Sequence, residues 1–148
     1  MHTFPVFPLI KTILLRWLPV ILWAGVIFSL SSFSNPYASL LPFPLFAALP
    51  HEQLGQFSHV FVYAVLAFLL ARALVHMPGK GTDPVSLPAW GMAVVYAFSD
   101  EIHQLFVAGR TFQMADLALD ALGALVGMLL FRWVSARLAR RKSQPNPL

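Results

Sequence analysis

Apolar residues gather into four blocks separated by short polar, Pro- or Gly-bearing stretches: Ile13 to Leu30, Phe57 to Val75, Leu87 to Phe106 and Asp116 to Val134. Each has about the 17–25 residues that a spanning helix needs to cross a ~30 Å hydrocarbon core. Barrel strands would alternate apolar and polar residues over about ten positions, and no such alternation is present. A helix satisfies its own backbone polar groups in lipid, so the blocks predict helices. The links agree. Ser34 to Pro50 carries Pro36, Pro42, Pro44 and Pro50, and is expected to lie along the interface as a partial lid. Met77 to Pro88 carries Pro78, Gly79, Gly81, Pro84 and Pro88, a connector and not a phosphate loop. The third link, Val107 to Ala115, is short, which makes the third and fourth spans antiparallel neighbours. Residues 143–148 read as a loose end.

Composition narrows the class. Of 148 residues, 58% are hydrophobic and 11% charged, against about a quarter charged in a soluble domain. The mean hydropathy is +0.71. Soluble enzyme folds and nucleic-acid modules are poor fits, and one domain suits the length. With no Cys, disulfides, thiolate nucleophiles and Cys-ligated metals are excluded. Lys11 and Arg16 before an apolar run could open a signal peptide. The run holds Trp17 and Trp23 and ends without an A-x-A site, so a retained helix is expected.

The pI near 10 raises nucleic acid as a partner, and the placement of the charge answers it. With four spans, Lys11, Arg16, Arg72, Lys80, Arg132, Arg137, Arg140, Arg141 and Lys142 share one side, and Arg110 is alone on the other. Cytoplasmic flanks collect Lys and Arg. The expectation is therefore an all-α integral membrane four-helix bundle, N-in and C-in. Residues 135–148 form a basic cytoplasmic tail that touches anionic lipid, with no nucleic-acid role. Acidic residues show the reverse bias: Glu52, Asp100, Glu101, Asp116 and Asp120 fall on the outer half, leaving Asp83 inside.

Ionisable groups within a span cost about 2.5–3.5 kcal/mol each at the bilayer centre, so they face the bundle interior or a wet cavity. Here they concentrate on three helix ends. His59 and Tyr63 are four apart and share a face, as do Asp116 and Asp120; Asp100, His103 and Gln104 lie along one face of the third span. Asp100 and Glu101 stand about 8–9 Å below the outer end of that span at 1.5 Å per residue. Together with Arg110 they outline an outward polar pocket. Gly123 and Gly127 form G-x-x-x-G, a close-packing motif that reads as a seam inside the bundle before it reads as a homodimer face.

The stretch Ser99-Asp-Glu-Ile-His-Gln-Leu-Phe-Val-Ala-Gly-Arg110, followed by Asp116, Asp120, Gly123 and Gly127, resembles the signature of the VanZ-like membrane proteins. The pair His59 and Tyr63 and the end of span one, Phe28-Ser-Leu-Ser31-Ser32, match as well, so the resemblance covers about residues 17–131. Gly55-Gln56 stand where the family often has Asp-Lys, and Ala108 where it usually has Pro. The resemblance implies a bacterial cell-envelope protein of the inner (cytoplasmic) membrane. The family's founding member is linked to reduced susceptibility to the lipoglycopeptide teicoplanin. No established reaction comes with it.

Each polar residue has a plain role and a sharper one. Glu101 and Asp100 are helix staples or, in a low-dielectric site, proton-transfer groups. His59 is a hydrogen bonder or a base, and His103 a weaker candidate facing the interface. Arg110 compensates nearby carboxylates or grips a phosphate with its guanidinium fork. Tyr63 and Gln104 hold the site together, and Asp116 and Asp120 complete its substrate-binding wall. His2, His51 and Glu52 read as solvated, and His76 as a cation at a helix C-terminus. Two His, four carboxylates and Gln104 could ligate a metal, but no known spacing matches. No cofactor is implied, and no Ser nucleophile motif occurs. Three functions remain. The leading one binds an anionic or lipid-linked headgroup, with membrane lipids or a lipid-linked cell-wall intermediate as partner and an effect on glycopeptide susceptibility. The second is an enzyme that hydrolyses or transfers a lipid-linked group, with Glu101, Asp100 and His59 as catalytic residues. The third is a structural or assembly protein without a ligand.

Overall fold

A computed structural model describes residues 6–34, 51–75 and 83–143. Four helices account for nearly all of them: α1 Val6–Ser31, α2 His51–Val75, α3 Asp83–Gln104 and α4 Met114–Ser143. The protein is all-helical in its described residues. The expected interfacial lid (35–50), residues 76–82 with His76 and Lys80, His2, and residues 144–148 lie outside them, as do the side chains of Lys11, His51, Glu52, Asp83 and Lys142.

All four helices begin earlier than the hydropathy blocks, α2 at His51 and not Phe57, α4 at Met114 and not Asp116. α1 starts at Val6 and runs through Pro19. α3 starts at Asp83, so Pro84 and Pro88 belong to the helix and not to the connector. An acidic residue followed by Pro is a helix-opening pair, because the first turn leaves N–H groups unused that Pro does not possess. α3 also stops at Gln104, two residues short of Phe106. Asp100 and Glu101 are therefore about 4.5–6 Å from its end, shallower than the sequence implied. α4 has 30 residues and at 1.5 Å per residue extends about 45 Å, so the basic stretch after Val134 is helical as far as Ser143. Near its end, the Arg137 guanidinium lies 5.0 Å from the centre of the Trp133 ring.

The bundle is apolar on the outside. Leu14, Ile21, Leu22, Phe61, Val95, Leu130 and Trp133 all face outward, as lipid-facing side chains do. Three helices, Ile13–Ser31, Leu54–Val75 and Met114–Arg141, are long and apolar enough to cross a membrane. Its interior is built from small residues. Ala89, Ala93 and Ala97 line one face of α3 and Ala67, Ala71 and Ala73 lie on α2, all fully or almost fully buried, so backbones approach closely. α2 and α4 make the tightest pair, α3 leans on both, and α1 lies against α2 and, least, α3. Gly123 and Gly127 form the α2–α4 seam: a Cβ at either would stand 2.8 Å from the Cα of Val60 or Ala64. The motif is occupied within the bundle.

Polar donors tie the helices at their carbonyls. Trp23 Nε1 donates to Val62 O at 2.8 Å, Tyr96 Oη to Ala24 O at 2.7 Å and Trp90 Nε1 to Ala121 O at 3.0 Å. These bonds fix α1 on α2, α1 on α3 and α3 on α4 in turn.

Candidate functional site

The α3–α4 end of the bundle is shaped by a tight link. Arg110 N–H donates to Val107 O at 3.1 Å, and Gly109 between them has φ +79°. That is a type II turn, in which the third residue needs positive φ and the second favours Pro. Ala108 holds the second position, so the geometry explains the family's usual residue there. The Ala108 carbonyl accepts from Ser34 Oγ at 2.8 Å, tying the turn to the end of α1.

Glu101 is fully buried and its Oε2 accepts from the Gln113 backbone N–H at 2.8 Å. It thereby caps the approach to α4, whose first N–H groups have no helical partners. The bond is of the kind the staple reading of Glu101 expects.

Asp100 Oδ2 takes two bonds, from Ser31 Oγ at 2.6 Å and from Gln104 Nε2 at 3.3 Å. Ser31 Oγ also lies 2.9 Å from Ile27 O, a second acceptor within reach of its single proton. Arg110 was expected to pair with a carboxylate. Instead its Nε and Nη2 both donate to Gln104 Oε1, at 3.1 and 2.6 Å. Gln104 reaches both groups because its amide offers an acceptor and a donor on opposite atoms.

His59 stands between two carboxylates of α4. Its Nδ1 donates to Asp120 Oδ1 at 2.9 Å, and its Nε2 is 3.6 Å from Asp116 Oδ2. Asp120 is almost completely buried and Asp116 is partly exposed. His103 lies apart, stacked on Phe28 with ring centres 4.4 Å apart and 3.1 Å from Ser32 Oγ.

A cavity of about 120 Å³ opens among these groups, lined by Ile27, Leu30 and Ser31 of α1, Ser58, His59, Val62 and Tyr63 of α2, Asp100 and Gln104 of α3, and Arg110. Of the residues singled out in the sequence, His59, Tyr63, Asp100, Gln104 and Arg110 meet on its walls; Glu101, Asp116 and Asp120 stand behind them. Ser31 and Ser58 were missed as site residues. For Ser31 the signal was present, a serine run closing an otherwise apolar span. Several buried polar atoms have no hydrogen-bond partner: Tyr63 Oη, Asp100 Oδ1, Glu101 Oε1 and Asp120 Oδ2. Such atoms cost about 1–3 kcal/mol each, and two of them belong to residues on the cavity wall. Among the described residues, no group of three or more His, Asp and Glu is arranged to hold a metal ion.

Apolar spanning helices around a buried cluster of carboxyl, imidazole and guanidinium groups define a helical membrane protein with an internal polar site. The chain matches the VanZ/LLP1 family over residues 10–135 and belongs to that family. Comparison with curated proteins gave no match, and comparison with solved structures gave none either.

Proposed function

We propose that this is a bacterial cytoplasmic-membrane protein whose four helices all span, with both termini in the cytoplasm, and that it holds the headgroup of a lipid in the outward-facing cavity. The observation that carries the reading is the meeting of Arg110, Asp100 and Tyr63 on one small cavity beneath an apolar exterior. The cluster around the cavity is not fully bonded: Tyr63 Oη, Asp100 Oδ1, Glu101 Oε1 and Asp120 Oδ2 are buried without a hydrogen-bond partner. Arg110 is the anion contact, by the fork geometry that suits phosphate. Gln104 orients it, and His59, held by Asp120, offers a polar face to the rest of the headgroup. Ile27, Leu30 and Val62 on the same wall suit the first carbons of a lipid chain. A lipid-linked cell-wall intermediate held in this way would become less available, which is the route by which glycopeptide susceptibility would change.

Catalysis is the second reading, favoured by one observation: His59 lines the cavity with its ring fixed through Nδ1 by Asp120. A carboxylate that fixes a histidine tautomer is the arrangement general bases use. In this reading His59, and not the stapled Glu101, is the base in hydrolysis or transfer of a lipid-linked group.

The test is native mass spectrometry of protein taken gently from its own membrane, wild type beside Arg110→Ala. Retention of a phospholipid or lipid-linked phosphate by the wild type and its loss in the variant is the expected result. Wild type and variant both bare, with equal stability, would leave the polar cluster as structural glue.

A further inference from the structure

Resting on that reading, we infer that the preferred headgroup is zwitterionic, a phosphate carrying a short arm that ends in a hydrogen-bond-donating ammonium, as in phosphoethanolamine lipids. Three observations lead there.

The first is size. The cavity is small, about 120 Å³, and Arg110 and Asp100 share it, so a headgroup that meets both is compact.

The second is polarity. The cavity has a donor side and an acceptor side. Arg110 supplies the donors, while Asp100 brings a carboxyl group to the wall. Gln104 bridges the two residues, donating to Asp100 at 3.3 Å and accepting from Arg110 at 2.6 Å. Guanidinium and carboxyl therefore stand one amide group apart. Each is bonded to the amide, and neither is bonded to the other. A ligand that complements both must carry an acceptor and a donor at a similarly short separation.

The third is charge balance. Asp100, Glu101, Asp116 and Asp120 surround the site, and Arg110 is the Lys or Arg on its wall. A purely anionic headgroup meets Arg110 but also faces Asp100 in a medium of low dielectric, where like charges repel strongly. An ammonium on the Asp100 side removes that conflict.

The nature of the ammonium matters, because a quaternary amine carries the charge with no N–H to give. This separates the inference from a simple attraction of opposite charges. It also separates it from the headgroup reading beneath it, which needs only the phosphate.

The experiment is native mass spectrometry of delipidated full-length protein offered dioleoyl phosphatidylethanolamine, phosphatidylcholine and phosphatidylglycerol at equal concentration. Retention of phosphatidylethanolamine at least five-fold above the other two is expected. Asp100→Asn should bring it down to the phosphatidylcholine level, and Arg110→Ala should weaken all three. The lipid series on wild type decides the matter even where Asp100→Asn does not fold. Phosphatidylcholine held as well as phosphatidylethanolamine overturns the inference, and so does preference for phosphatidylglycerol, which leaves the anion reading standing. If the protein retains none of the three, both fail.

Discussion

Ser31, the last residue of α1, donates to Asp100 Oδ2 of α3 at 2.6 Å, and both residues are buried. A span that packs lightly on α3 is thus held at its end by a short polar bond. Without the hydroxyl, Oδ2 keeps only Gln104 at 3.3 Å. Ser31→Ala is expected to lower stability by about 1–2 kcal/mol, read as an earlier thermal transition in detergent. An unchanged transition would mean that the bond contributes nothing.

The α2–α4 seam should be intolerant of any side chain. A methyl group at Gly127 overlaps the Ala64 backbone, and the helices can admit it only by separating. Gly127→Ala is expected to cost about 3 kcal/mol, the upper part of the range for overpacking. The oligomeric state should not change, since the glycine face is covered within the chain. Size-exclusion chromatography with light scattering, alongside a melting curve, reads both.

The turn at Ala108 predicts a gain. Its position in a type II turn suits Pro, and among the described residues no hydrogen bond uses its N–H. Ala108→Pro is expected to stabilise by about 0.4–1 kcal/mol through the unfolded chain. A loss of stability would contradict the turn assignment.

Glu101 distinguishes cap from base. Glu101→Gln retains an oxygen for the Gln113 N–H and should keep both stability and lipid retention close to wild type. Glu101→Ala leaves that N–H unmet and should cost about 1–3 kcal/mol. Should Glu101→Gln keep its fold and its lipid yet lose a turnover that His59→Gln retains, the base would be Glu101.

Orientation is open to direct measurement because the chain has no Cys. Single cysteines at Thr111 and Ala139, both exposed, should react with a membrane-impermeant maleimide on opposite sides. Thr111→Cys should label in intact cells and Ala139→Cys only after lysis. The reverse pattern would place the cavity toward the cytoplasm and remove the outer-leaflet ligand.

Much of this architecture was legible in the chain. The apolar blocks located the helices because a lipid-facing exterior leaves little freedom of composition. The four-residue spacings of His59 with Tyr63, of Asp100 with Gln104 and of Asp116 with Asp120 brought five of these six residues into one bonded or cavity-lining cluster, with Asp116 at its edge. The partner of Arg110 was not legible. Charge counting favours a carboxylate, but Gln104 is six residues away across the turn, and its amide intercepts the guanidinium. Glu101 and Asp100 are adjacent and chemically alike, yet successive helix residues point about 100° apart. One therefore turns to the α4 cap and the other to the cavity. The start of α3 was missed because its prolines outweighed Asp83-Pro84, the pair that opens the helix.

The most direct test of the central claim is a structure determined in nanodiscs of mixed phosphatidylethanolamine and phosphatidylglycerol. The account predicts headgroup density in the cavity, with a phosphate about 2.7–3 Å from the Arg110 guanidinium and its remaining polar end against Asp100. A cavity holding only water, or an acyl chain with Arg110 still turned to Gln104 alone, would contradict it.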